Sequence, residues 1–167
     1  MTQLHAQPYD LSATGFYFES AEEFDAKANT NRSAYGQRVE EYEIQFIDGD
    51  AIDCDLAKAV GLNQANFGAY LEAADRWNID GKRKVIVAVG ECGYEFDAST
   101  RPIGFDVDIY ELTSLRELAE QFVEDGLYDD IPERLQSYID YDAIARDLSC
   151  EFSLIEIAGE RLIYWSA

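Results

Sequence analysis

Carboxylates are the groups this chain has in quantity for chemistry: 34 Asp and Glu against 13 Lys and Arg in 167 residues, a formal net charge of −21. The densest local group is Asp48, Asp50, Asp53 and Asp55. A calcium-binding EF-hand loop needs oxygen ligands at positions 1, 3 and 5 and glycine at 6. Counted from Asp48, position 5 is Ile52, position 6 is Asp53, and the glycine falls at position 2. The spacing fails, and a turn followed by a helix cap accounts for these acids better. Carboxylate pairs of the kind that hydrolyse glycosides occur by chance in so acidic a chain, and nothing singles one out. His5 is the only histidine, in a segment that reads as a loose polar arm over residues 1–14, so histidine base catalysis has little to build on. Gly90-Glu-Cys-Gly93 lacks phosphate-loop spacing. Lys82, Arg83 and Lys84 form one short basic cluster, which reads as a solvated turn beside a strand rather than a nucleic-acid patch. Cys54, Cys92 and Cys150 are odd in number and far apart, which suits a reducing, cytoplasmic setting better than a disulfide framework. The expectation is a protein with no catalytic group, no metal and no cofactor.

What stands out is where the acid lies. Residues 1–55 hold 12 acids and 3 bases, residues 56–104 hold 6 and 6, and residues 105–167 hold 16 and 4. A small soluble domain is comfortable with a net charge of magnitude about 2–8, and self-repulsion destabilises a compact state. Disorder is excluded by a chain that is 47% hydrophobic and 13% aromatic. A halophilic adaptation would spread the acid evenly. Nucleic acid and anionic lipid would both repel this surface, so the matching partner is a basic protein surface. Duplex DNA carries one charge per about 1.7 Å of axis, so 34 carboxylates equal about 58 Å of duplex, of which about half is a realistic display. Acids at i, i+3 and i+4 on a helix stand about 5–6 Å apart, a spacing able to imitate a row of phosphates.

The elements that must hold these acids are legible in outline. From Thr113 to Leu148 the chain reads as successive helices. Ser114 with Glu117 is a capping box, Leu115, Leu118, Ala119, Phe122 and Val123 form one apolar stripe, and Gly126 is the stop. Glu117, Glu120, Glu124 and Asp125 fall off the stripe, and Asp129 and Asp130 lie in the connection. Pro132 opens a second helix with Leu135, Tyr138 and Ile139 inward and Glu133 in its first turn. Asp140 caps a third, with Ile144 and Leu148 inward and Asp142 and Asp147 outward. Earlier, Ser20 with Glu23 starts a helix after a short Gly15–Phe18 strand. Glu40 to Ile47 alternates, with Tyr42, Ile44 and Phe46 on one face and acids including Glu41 and Glu43 on the other. Asp53 is read as the cap of a helix to Val60, and Asn63 as the cap of one to Trp77. Val85–Val89 and a segment around Tyr94 and Phe96 read as strands. Phe105, Val107 and Ile109 alternate with Asp106 and Asp108, and Phe152–Trp165 closes the chain as a hairpin. The expected class is α+β: an elongated chain of two or three small modules (1–55, 56–104 and 105–167), with short antiparallel sheets and packed helices. No apolar run is long enough to span a membrane, and no signal peptide is evident.

Within this framework, Ile131-Pro-Glu-Arg-Leu-Gln-Ser-Tyr-Ile-Asp-Tyr-Asp-Ala-Ile-Ala-Arg-Asp-Leu148 resembles the signature segment of the ArdA-type antirestriction proteins. Gly15-Phe-Tyr-Phe-Glu, the strand at 40–44 and Leu62-Asn-x-x-Asn-Phe67 align with the same family in order. The resemblance implies an acidic, dimeric protein that imitates B-form DNA. It would occupy the DNA-binding groove of type I restriction-modification enzymes without catalysis of its own. By motif, it carries over to Asp130, Glu133, Asp140, Asp142 and Asp147. The outward pattern adds Asp106, Asp108, Glu117, Glu120, Glu124, Asp125, Asp129, Glu40, Glu41 and Glu43 as partner-binding acids. For the dimer contact, Tyr128, Ile131 and Leu135, or a strand edge at Tyr164-Trp165, are the apolar candidates.

Overall fold

The computed structural model describes residues 2–167. The chain divides into two compact units, Met1–Phe105 and Asp106–Ala167. Helices alternate with two three-stranded antiparallel sheets, so the class is α+β, as the sequence indicates.

In the first unit, strand β1 (Gln3–Pro8) lies between β2 (Phe16–Phe18) and β3 (Tyr42–Asp48). Residues 1–14 are therefore not a loose arm. Leu4 faces Phe18 and Phe46 across the two ladders, and Leu4, Ala6 and Pro8 point inward while Gln3, His5 and Gln7 are half-covered. The alternation is present but is carried partly by alanine and proline, which signal a strand weakly. Helix α1 (Ala21–Thr30) starts at the cap the sequence indicates: Ser20 Oγ accepts from Glu23 N–H at 3.1 Å, and the Glu23 carboxylate accepts at 2.8 Å from the N–H of Glu19, one residue before the cap. Phe16, Phe18, Phe24, Tyr42 and Phe67 stack edge-on or tilted between the sheet and the helices. Large rings packed this way supply much of a small core.

The rest of this unit is helical: α2 (Ala51–Ala59), α3 (Phe67–Arg76) and α4 (Ile79–Val85), which runs into a π-helical turn at Ile86–Glu91. The Val85–Val89 run is thus helix and not strand. A short apolar run looks alike in a buried strand and a buried helix. Asn78 decides the matter locally, because its side chain accepts from Gly81 N–H at 2.8 Å and caps α4, so Asp80-Gly81 is the first turn of a helix. No strand forms around Tyr94 and Phe96; these rings rest against Phe105 and Trp77 in a loop. The cap of α2 is Asp50, while Asp53 lies inside the helix and is buried. Asn63 caps a turn at 64–66, its carboxamide oxygen accepting from Ala65 and Asn66 N–H, and α3 begins after it. Lys82 and Arg83 are buried, so the basic cluster is not a solvated turn. Lys82 pairs with Asp53, and Tyr70 donates its hydroxyl to the Asp53 carbonyl at 2.9 Å. Burial first, then the Asp53 charge, pushes the Tyr70 phenol well above its usual range.

In the second unit, β4 (Val107–Tyr110), β5 (Phe152–Ile157) and β6 (Glu160–Ser166) form a sheet in the order β4-β6-β5. The β5–β6 hairpin turns at Ala158-Gly159, both with positive φ. Because β6 is the central strand, Tyr164-Trp165 is not a sheet edge. Helices α5 (Leu115–Glu124), α6 (Glu133–Gln136) and α7 (Tyr141–Leu148) connect β4 to β5. Leu118 and Phe122 of α5 meet Ile163 of β6, with Tyr110, Leu148 and Phe152 around them. Leu135 and Tyr138 are exposed, Tyr138 to 82%, so the inward face expected of α6 is absent. A four-residue helix is too short to hold two such residues on one buried stripe.

Candidate partner-binding surface

All fifteen acids named from the sequence are exposed. Glu40, Glu41 and Glu43 lead into and along β3, where Tyr42 and Ile44 are buried on the opposite face. In the second unit, Val107 is buried between the outward Asp106 and Asp108. Along α5, the buried Leu118, Ala119 and Phe122 leave Glu117, Glu120 and Glu124 facing water.

The ends of α5 are fixed by local bonds. Ser114 Oγ accepts from Glu117 N–H at 3.2 Å, and the Glu117 carboxylate accepts from Thr113 N–H at 2.8 Å. These hydrogen bonds hold the Glu117 carboxyl below its usual range, the Thr113 backbone amide contributing most. At the other end, Gly126 (φ 79°) donates to Val123 and Leu127 to Phe122, the paired bonds of a Schellman stop. The chain then turns through Asp129, itself at φ 63°. A cleft of about 520 Å³ opens here, lined by Val123, Ile131 and Tyr141 together with Glu124, Asp129 and Asp130. Glu133 starts α6, and Asp140 caps α7 by accepting from Ala143 N–H at 2.9 Å.

The acids are therefore not equivalent. Glu117 and Asp140 spend part of their hydrogen-bonding capacity on helix ends. Glu120 and Asp142 share one cation: Arg116 donates Nε–H to Glu120 at 3.1 Å and Nη1–H to Asp142 at 2.8 Å, with its guanidinium 5.9 Å from the Tyr141 ring centre. Asp142 first, then Glu120, raises the Arg116 pKa. Among the described residues, Asp106, Asp108, Glu124, Asp129, Asp130, Glu133 and Asp147 make no comparable bond to a cation. Sequence reasoning missed both the buried Asp53–Lys82 pair and the Arg116 bridge, because each joins residues far apart in the chain. Among the described residues, no group of three or more His, Cys, Asp or Glu is arranged to hold a metal ion. Among the same residues, no helix is long and apolar enough to cross a membrane.

Two small α+β units display the carboxylates, and Lys82 and Arg83 of the basic cluster lie inside the first of them. The chain belongs to the ArdA antirestriction family: the family model described as antirestriction protein (ArdA) matches residues 3–160. Its function is thus that of an antirestriction inhibitor family. No curated protein matches the chain.

Proposed function

We propose that this protein blocks type I restriction-modification enzymes by presenting its carboxylates to their basic DNA-binding groove in place of DNA phosphates. The observation that supports the reading most is the exposure of all fifteen acids, twelve of them in the second unit, which holds 16 acids and 4 bases. One of those four bases, Arg116, is already held by two acids. Charge complementarity of this kind speeds encounter and fixes orientation. Catalysis plays no part in the mechanism: the groove is filled, and DNA is excluded by competition.

The test is neutralisation by cluster. Asp129→Asn, Asp130→Asn and Glu133→Gln together should weaken binding to a type I methyltransferase core while leaving the fold intact. Equal binding by the triple variant and the parent would contradict a role for this surface. Recovery from cells of a different DNA-binding protein, with no restriction subunit, would favour an acidic inhibitor aimed at another basic partner.

We further propose a homodimer. Leu127, Tyr128, Leu135 and Tyr138 are exposed within one segment of the second unit, an apolar group inside an acidic surface. Light scattering at tens of micromolar should give twice the 18.9 kDa chain mass, and a monomer would remove the proposal.

A further inference from the structure

We propose that Arg116 is a positioning residue of the acidic surface, which fixes Glu120 and Asp142 in the arrangement the partner reads. The inference rests on the DNA-groove reading above. Two carboxylates from different helices converge on one guanidinium, at 3.1 Å and 2.8 Å. Glu120 stands four residues along α5 from Arg116, whereas Asp142 comes from the first turn of α7. That turn is itself anchored by the Asp140 cap, and the Arg116 guanidinium lies over the neighbouring Tyr141 ring. The cation is thus held by partners on two helices. Its planar fork satisfies two carboxylates at set directions, which a lysine ammonium does not reproduce. Without it, two exposed acids brought to one cation repel and swing through their own rotamers. A cation in the middle of an acidic surface lowers its charge, so its presence is unexplained if charge alone matters. It is explained if the placing of the carboxylates matters more.

This makes the sign of the test informative. Arg116→Met leaves the protein one charge more negative. A surface that works by charge alone then binds the basic groove more tightly. A positioned surface binds about three- to tenfold more weakly, the lower part of the range of coupling between directly contacting groups. The assay is competition at low salt, with the protein titrated against a labelled duplex bound to a type I methyltransferase core. Parent, Arg116→Met, Arg116→Lys, Asp142→Asn and Arg116→Met/Asp142→Asn are compared, each with its thermal unfolding midpoint. Arg116→Lys, which keeps the charge and loses the fork, should also weaken displacement. The double variant should lose no more than the worse of its two single variants. The unfolding midpoint should move by only a few degrees, since exposed ion pairs contribute little to stability. If the parent displaces the duplex and Arg116→Met displaces it equally or better, the positioning role falls and the groove reading stands. If the parent displaces nothing, both fall. A loss of displacement in Arg116→Met that tracks unfolding, with Arg116→Lys fully active, would assign Arg116 to stability only.

Discussion

Lys82 Nζ lies 2.5 Å from Asp53 Oδ1, and the two side chains are only 8% and 6% exposed. The pair joins α2 to α4 in the first unit. It also explains why the one basic cluster in the chain does little to offset the acidic surface: Lys82 and Arg83 are inside. Removing one partner of a buried pair strands the other charge, at a cost of about 3–5 kcal/mol. Replacing both with apolar groups of similar size is often close to neutral. Lys82→Met should therefore lower the stability measured by urea unfolding by about that amount, and Asp53→Leu/Lys82→Met should recover most of it. A single variant that costs less than about 1 kcal/mol would show that solvent reaches the pair.

Gly15 sits where β2 begins to run beside β1. A Cβ there would lie 2.7 Å from the His5 ring and 2.8 Å from the Ala6 carbonyl oxygen. His5 also packs tilted against Tyr17, with ring centres 4.8 Å apart, so it cannot move aside freely. The carbonyl belongs to the backbone of the central strand and cannot yield without shifting the ladder. Gly15→Ala should cost about 1–3 kcal/mol, as overpacking usually does. Gly15→Ala with His5→Ala should regain only part of the loss, because the carbonyl contact stays. Full recovery in the double variant would place the whole clash on the ring.

Glu117 gives a pH-dependent contribution whose sign follows from its bonds. Its carboxyl is held below the ordinary 4.5 by Thr113. A group lowered on folding stabilises above its unfolded pKa, and the contribution is lost as pH falls through the folded value. Glu117→Gln keeps the shape of the capping box and removes the titration. In about 0.5 M salt, where long-range repulsion is screened, the parent should exceed this variant in stability at pH 7. The gap should close on acidification below pH 4.5. A gap that stays constant from pH 7 to pH 3 would mean the carboxylate charge adds nothing to the α5 cap.

The parts of this fold written in local chemistry could be read from the sequence. Ser20 with Glu23 and Ser114 with Glu117 mark two helix starts, Gly126 marks a stop, and Ala158-Gly159 marks a hairpin; the structure has all four. Elements defined by distant partners were not legible. β1 is a strand because β2 and β3 flank it, and its own residues, Ala6 and Pro8 among them, say little. Val85–Val89 is helical because α4 begins at the Asn78 cap and packs against α2, whereas its composition suits a strand equally well. Asp53 resembles a cap until Lys82, 29 residues away, is seen beside it. For the candidate surface, outward direction was legible residue by residue from the apolar stripe. The division between acids engaged by caps or Arg116 and acids left to solvent was not, because it depends on how α5 meets α7.

On the proposed function, the carboxylates compete with DNA for a basic groove. The direct measurement is a titration of this protein into a type I methyltransferase core bound to a labelled duplex, at low and then rising salt. Displacement near one equivalent per groove is expected at low salt, with affinity falling as salt rises because the contacts are between charges. Absence of displacement at low salt, with the duplex still bound at excess protein, would contradict it.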